Sequence, residues 1–188
     1  MKTGLIILAA VGFAVVLCGC QFVQTRNKLA TEKEAISAQW SQVDTELQRR
    51  ADLIPNLVET VKGYAKEETG IMEALANARA AMIGAKGPAE KAAANDQISS
   101  ALGRLMVVVE NYPNLKANEN FRSLQYSLEG TENRIDQMRR VYNESVQEYN
   151  TDLVVFPASI VASMSGFQRD DAYFKTDAAA RNAPKVQF

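Results

Sequence analysis

Between Phe121 and Leu153 the chain reads FRSLQYSLEGTENRIDQMRRVYNESVQEYNTDL. Phe121, Leu124, Leu128, Thr131, Ile135, Met138, Tyr142, Val146, Tyr149 and Leu153 follow one another at steps of three or four. Such steps keep returning to one face of a helix, whereas a strand would need alternation at every second residue. Glutamate, glutamine, arginine and leucine fill much of the remainder, and these side chains lose little rotamer freedom in a helix. A helix from about Asn118 to Val155 would run roughly 60 Å at 1.5 Å per residue.

The same spacing extends outward from this stretch. Ile36, Trp40, Val43 and Leu47 carry it in a first segment, continued by Ile54, Leu57 or Val58, and Val61. Ile71, Leu75, Ala78 and Met82 form a second segment, and Ile98, Leu102, Leu105, Val109 and Tyr112 a third. Gly84-Ala-Lys-Gly87-Pro88, Tyr112-Pro113-Asn114 and Phe156-Pro157 are the breaks. The expected fold is all-α: an elongated antiparallel helical bundle of about four long helices, preceded by an N-terminal membrane segment. Pro55 falls inside an apolar pattern, where it removes a hydrogen bond and crowds the preceding turn. Asp52 as an N-cap would put Pro55 in a first turn, so a kink or restart is expected at Asp52–Pro55.

The N-terminus reads as an address. Lys2 is followed by Gly4–Val23, an apolar stretch of about 20 residues, which is enough to span a hydrocarbon core. Charge resumes at Arg26. Leu17-Cys18-Gly19-Cys20 resembles a bacterial lipobox, with an aliphatic residue three places before the final cysteine and a small one just before it. Cleavage there would leave Cys20 as the lipidated terminus; otherwise the segment stays as a spanning helix, and both modes remain open. Either mode puts the bundle outside the cytoplasm, on the periplasmic face of the bacterial cell membrane, if Lys2 stays inside. The expected organisation is a signal or anchor segment at 1–25, a helical bundle at 26–167 and a polar, mobile tail at 168–188. Within that bundle Ser159–Phe167 reads as a short amphipathic helix.

Composition narrows the function. The 188 residues include no histidine and two cysteines, Cys18 and Cys20, both in the apolar segment. Ser–His and Cys–His catalysis and HExxH zinc sites therefore have no residues to use. The formal net charge of −1 is no electrostatic footprint for nucleic acid. Glu67-Glu68 and Asp170-Asp171 read as solvated surface, and no glycine-rich phosphate loop occurs. No cofactor, metal, catalytic residue or small-molecule substrate is expected.

Arg49-Arg50-Ala51-Asp52 is the most unusual local feature. The stripe continued from Leu47 carries Arg50 or Ala51 onto the core face, and a buried guanidinium needs a partner. Glu129, Glu132 and Asp136 are candidates, giving a structural ion pair built from Arg49, Arg50, Glu129 and Glu132; a site for an anionic lipid or partner carboxylate is the alternative. Tyr142-Asn143 and Tyr149-Asn150 repeat at seven residues and so share a helix face, read as semi-buried packing. Phe156, Phe167, Phe174 and Phe188 offer apolar surface after the long helix, with the first three taken as assembly or membrane contacts.

RRADLIPNLVETVKGY (Arg49–Tyr64) resembles the signature of the LemA family, as do YPNLKANENF (Tyr112–Phe121), Leu124-Gln125, TENRI (Thr131–Ile135), Arg140-Val-Tyr142-Asn143, Phe156-Pro157, Gly166-Phe167 and Phe174. The resemblance runs in order from Trp40 to Phe174. It implies a bacterial, membrane-anchored helical protein without established enzymatic activity, with relatives that take part in forming magnetosome membranes. The Cys18-Gly-Cys20 ending resembles the family's lipoprotein branch. The expected function is a non-enzymatic, membrane-anchored scaffold that forms a homo-oligomer and organises membrane lipid. The alternative is a tethered adaptor for another envelope protein: a membrane enzyme, a protease or a signalling protein.

Overall fold

The computed structural model describes residues 2–174. Every regular element among them is a helix: α1 (Lys2–Lys62), α2 (Thr69–Gly84), α3 (Gly87–Val109), α4 (Pro113–Lys116), α5 (Glu119–Asp152) and α6 (Ala158–Ser165). The breaks lie where the punctuating residues stand. Gly87 adopts φ +73 at the turn into α3, Pro88 follows in its first turn, and the Glu90 carboxylate accepts the Lys86 amide at 2.7 Å. Asn118 caps α5, its Oδ1 accepting the Phe121 amide at 3.0 Å. At the end of α6, Gly166 is left-handed and the Phe167 amide reaches back to the Ala162 carbonyl.

Two compact units divide the chain: Met1–Gln39 with Glu144–Asp171, and Trp40–Asn143 with Ala172–Phe188. In the first, the Gly4–Val23 stretch of α1 is exposed where described, apart from the half-buried Phe22. An 18-residue window of it has a mean hydropathy of 2.5 with none of its residues buried, so the helix is long and apolar enough to cross a membrane. α1 continues without a break past residue 25. Beyond it Leu29, Ile36, Val146, Tyr149, Val161 and Ala162 are buried. Lys28 bridges Glu32 on its own helix and Asp152 on α5. The Tyr149 hydroxyl is pushed up from its ordinary pKa by burial and by the charges of Asp170 and Glu32. Lys28 with Asp152 and Glu32 with Tyr149 set α1 and α5 antiparallel in this unit.

In the second unit, partner numbers on α5 likewise fall as those on α1 rise: Trp40 meets Tyr142, Glu46 meets Arg134 and Arg50 meets Glu132. α2 packs on α3. The α5 stripe is buried or half-buried along its whole length, as the spacing requires. On α2 the buried set is Met72, Leu75, Ala78 and Met82, with Ile71 only half-buried.

Of the kink or restart expected at Asp52–Pro55, the restart does not occur. α1 runs through Pro55, and Asp52 sits inside the helix, accepting a bond from Gln48 at 3.2 Å rather than capping a new turn. Proline has no amide hydrogen, so the Ala51 carbonyl four residues earlier loses its helical donor. Arg79 of α2 supplies a replacement, its Nε donating to Ala51 O at 3.2 Å.

At the start of the tail expected to be mobile, the backbone of Gln168, Asp170 and Phe174 is hydrogen-bonded by side chains of α5. The remainder of that tail, with Phe188, lies outside the described residues.

Candidate functional site

The buried polar groups of the second unit gather where α1, α3 and α5 meet. Leu29, Ile36, Val43, Arg50 and Leu57 follow one another on α1 at seven-residue steps, and all are buried. Arg50 thus takes a core position, at 4% exposure. Its Nη1 donates to Asn95 Oδ1 at 2.6 Å and Ser99 Oγ at 3.2 Å, and pairs with Glu132. Burial lowers the Arg50 pKa; Glu132 and Asp136 raise it, while the charge of Arg139 lowers it further. The guanidinium stays charged, because arginine does not give up its proton in a protein interior and the Glu132 carboxylate touches it. Lys91, also buried, reaches Asp44 at 2.9 Å.

Of the four residues expected to form the ion pair, Arg50 and Glu132 come together. Arg49, one step around the helix, is exposed; Glu129 is exposed and accepts from Gln125 at 3.0 Å. Asn95 and Ser99 of α3 were not anticipated as partners. Beside the pair opens a cavity of about 190 Å³ lined by Arg50, Leu102, Met106, Leu128, Glu129 and Glu132 among others. Its walls are mostly apolar and its charges are one arginine against two glutamates.

Phe174 departs from expectation. It is 8% exposed, 5.8 Å from Trp40 and 5.4 Å from Tyr142 between ring centroids, with the Arg139 guanidinium 5.0 Å above its ring. It is core, and no free contact surface. Phe167 is half-buried and Phe156 exposed. Asn143 explains the burial of Phe174: its Nδ2 donates to Phe174 O and its Oδ1 accepts Phe174 N, both at 2.9 Å. In the first unit Asn150 clamps Asp170 in the same way, at 2.6 and 3.0 Å, and the Tyr149 hydroxyl donates to Gln168 O at 3.0 Å. The Tyr–Asn repeat was visible in the sequence as a seven-residue spacing. Its use, a side-chain amide that pairs with both the N–H and the C=O of a residue outside the helices, was not.

Cys18 and Cys20 are free and exposed on the apolar stretch of α1. Among the described residues no cluster of three or more metal-ligating side chains occurs.

The LemA family model matches residues 39–188, which takes in the Arg50 network, both asparagine clamps and Phe174. The chain belongs to the LemA family. It is similar to magnetosome protein MamQ 2 of Paramagnetospirillum magneticum, at 28% identity over 175 residues covering 79% of this chain and 64% of that one. Magnetosome protein MamQ of Magnetospirillum gryphiswaldense is 26% identical over 178 residues, covering 81% of this chain and 65% of that one. The alignment thus spans just under two thirds of each of these relatives. In this LemA-family chain the signature stretch Arg49–Tyr64 contains both departures from a simple apolar stripe, Arg50 and Pro55, and each is answered by a polar group from another helix.

Proposed function

We propose that this protein is a membrane-anchored, non-catalytic scaffold whose helices from the second unit, α2, α3 and the matching parts of α1 and α5, form an antiparallel four-helix bundle that associates with copies of itself. The observation that carries the reading is α1: an exposed stretch of mean hydropathy 2.5 runs without a break into the helix that supplies Arg50 and Trp40. The similarity to magnetosome proteins supports a part in organising bacterial membrane. The bundle is assigned to the periplasmic side, held by a spanning helix or by acyl chains on Cys20. Mass spectrometry of the mature N-terminus separates these modes: an acylated Cys20 establishes the lipoprotein, an intact Met1 the spanning anchor. Electron microscopy of the full chain in lipid tests the scaffold. Ordered arrays or deformed bilayer support it; isolated monomers at high density sink it.

The mixed apolar and acidic cavity beside Arg50 favours a second reading, an adaptor that holds an envelope protein by a protruding aliphatic or basic side chain. Crosslinking in cells discriminates the two. A scaffold yields chiefly adducts with itself, an adaptor chiefly adducts with a different protein.

A further inference from the structure

The first unit exposes an apolar patch that no packing within it covers. Phe156 is 76% exposed, Met164 73% and Val154 63%, with Val155 and Ile160 also open. Val154–Phe156 follow the end of α5, while Ile160 and Met164 share one face of α6 at i, i+4; the opposite side of α6 buries Val161 and Ala162. The place of this patch is set by Lys28 Nζ, which meets Asp152 Oδ2 at 2.5 Å. Lys28 lies five residues beyond Val23, where the apolar stretch of α1 ends, or about 7.5 Å at 1.5 Å per residue. Because α1 and α5 are antiparallel in this unit, the chain leaving Asp152 heads back toward that apolar stretch.

We infer that Val154, Val155, Phe156, Ile160 and Met164 form a second membrane contact, inserted into the headgroup–acyl boundary of the leaflet from which α1 emerges. Amphipathic surfaces of this kind sink roughly 5–10 Å into that boundary, which matches the height that the Lys28–Asp152 pair imposes. Arg26 and Lys28 stand at the level of the lipid phosphates, where basic residues flanking an apolar span are favoured. The occupant is thus the bilayer, since a patch this close to the apolar span meets lipid before it meets a protein. A single helix leaves a domain free to swivel and tilt; a second contact beside it restricts both. The inference rests on the anchor reading of α1 proposed above.

The experiment uses the full chain in phosphatidylcholine–phosphatidylglycerol vesicles with brominated acyl chains. Phe156→Trp and Met164→Trp are read against the wild type, whose single Trp40 gives the background, and against Ala38→Trp, an exposed position further along α1. Co-flotation with the vesicles after an alkaline wash reports the anchor separately. The added emission of Phe156→Trp and Met164→Trp is expected to shift to the blue and to lose roughly half its intensity to bromine, as for side chains at the acyl boundary, with Ala38→Trp unaffected. Protein that floats while both reporters emit as in water and escape quenching overturns the inference and leaves the anchor intact. Protein that does not float overturns the anchor reading and this inference together. Both reporter sites are exposed, so the substitutions leave the core as it is; helical circular dichroism equal to the wild type checks this.

Discussion

Arg79 donates from Nε to the carbonyl oxygen of Ala51 at 3.2 Å, the oxygen that the missing amide hydrogen of Pro55 leaves without its helical donor. A lesion in one helix is thereby repaired by a side chain of another, and the repair also ties α2 to α1. Arg79→Ala is expected to cost about 1 kcal/mol, the usual net worth of such a bond. In a Pro55→Ala background the helical donor returns, and the same substitution becomes close to neutral. A double-mutant cycle by urea denaturation reads the difference; equal costs in both backgrounds would dissociate Arg79 from the proline.

Glu132 balances a guanidinium that has little access to water. Glu132→Ala is expected to destabilise by about 2 kcal/mol, less than the roughly 3–5 kcal/mol of a wholly buried pair, because its side chain is 33% exposed. Replacing both partners together, as Arg50→Met with Glu132→Leu, restores much of that loss, since no uncompensated charge is left in the core. Denaturation midpoints of the two variants check the order. A double variant as unstable as Glu132→Ala would refute it.

Asn143→Asp keeps the shape of the clamp but loses the amide donor to Phe174 O and sets a carboxylate against that carbonyl. Phe174 is expected to leave its place beside Trp40 and Tyr142, at a cost of about 1–3 kcal/mol. Trp40, the single tryptophan, reports this directly. Its emission moves to the red in Asn143→Asp and also in Phe174→Ala, whereas an unchanged spectrum would separate the clamp from the ring cluster.

Glu32 is held above its ordinary pKa of 4.5, first by burial and then by the charge of Asp152, with Lys28 acting in the opposite direction. A carboxyl raised in the folded state binds its proton more tightly there than in the unfolded chain. Its contribution to stability is therefore complete below 4.5 and is lost as pH rises through the folded-state pKa. Wild-type stability minus that of Glu32→Gln is expected to fall across this window and then level off. A difference that rises with pH would reverse the assignment.

The helices were legible because their signal is local. The α5 stripe from Phe121 to Leu153 is buried or half-buried throughout, and α2, α3 and α5 end within a few residues of the expected glycine and proline breaks. The same spacing put Arg50 or Ala51 on the core face, and both are buried; Glu132 was among the partners named for the arginine. The restart at Pro55 was misread for an equally definite reason: a residue in the first segment cannot show that an arginine 24 positions later will replace its hydrogen bond.

Taken alone, then, the sequence determined helix as the secondary structure, an apolar stretch at the start of α1, and a core stripe that reaches Arg50 or Ala51. Each depends on periodicity or composition within one segment. The tertiary structure decided that Arg50 and not Arg49 enters the interior network, that Asn95 and Ser99 complete it, that Asn150 holds the backbone of Asp170, and that Asn143 holds that of Phe174, whose ring is buried. Those outcomes depend on polar groups 20 or more residues apart meeting at hydrogen-bond distance. No pattern within a single helix encodes such meetings; the packing of one helix on another does.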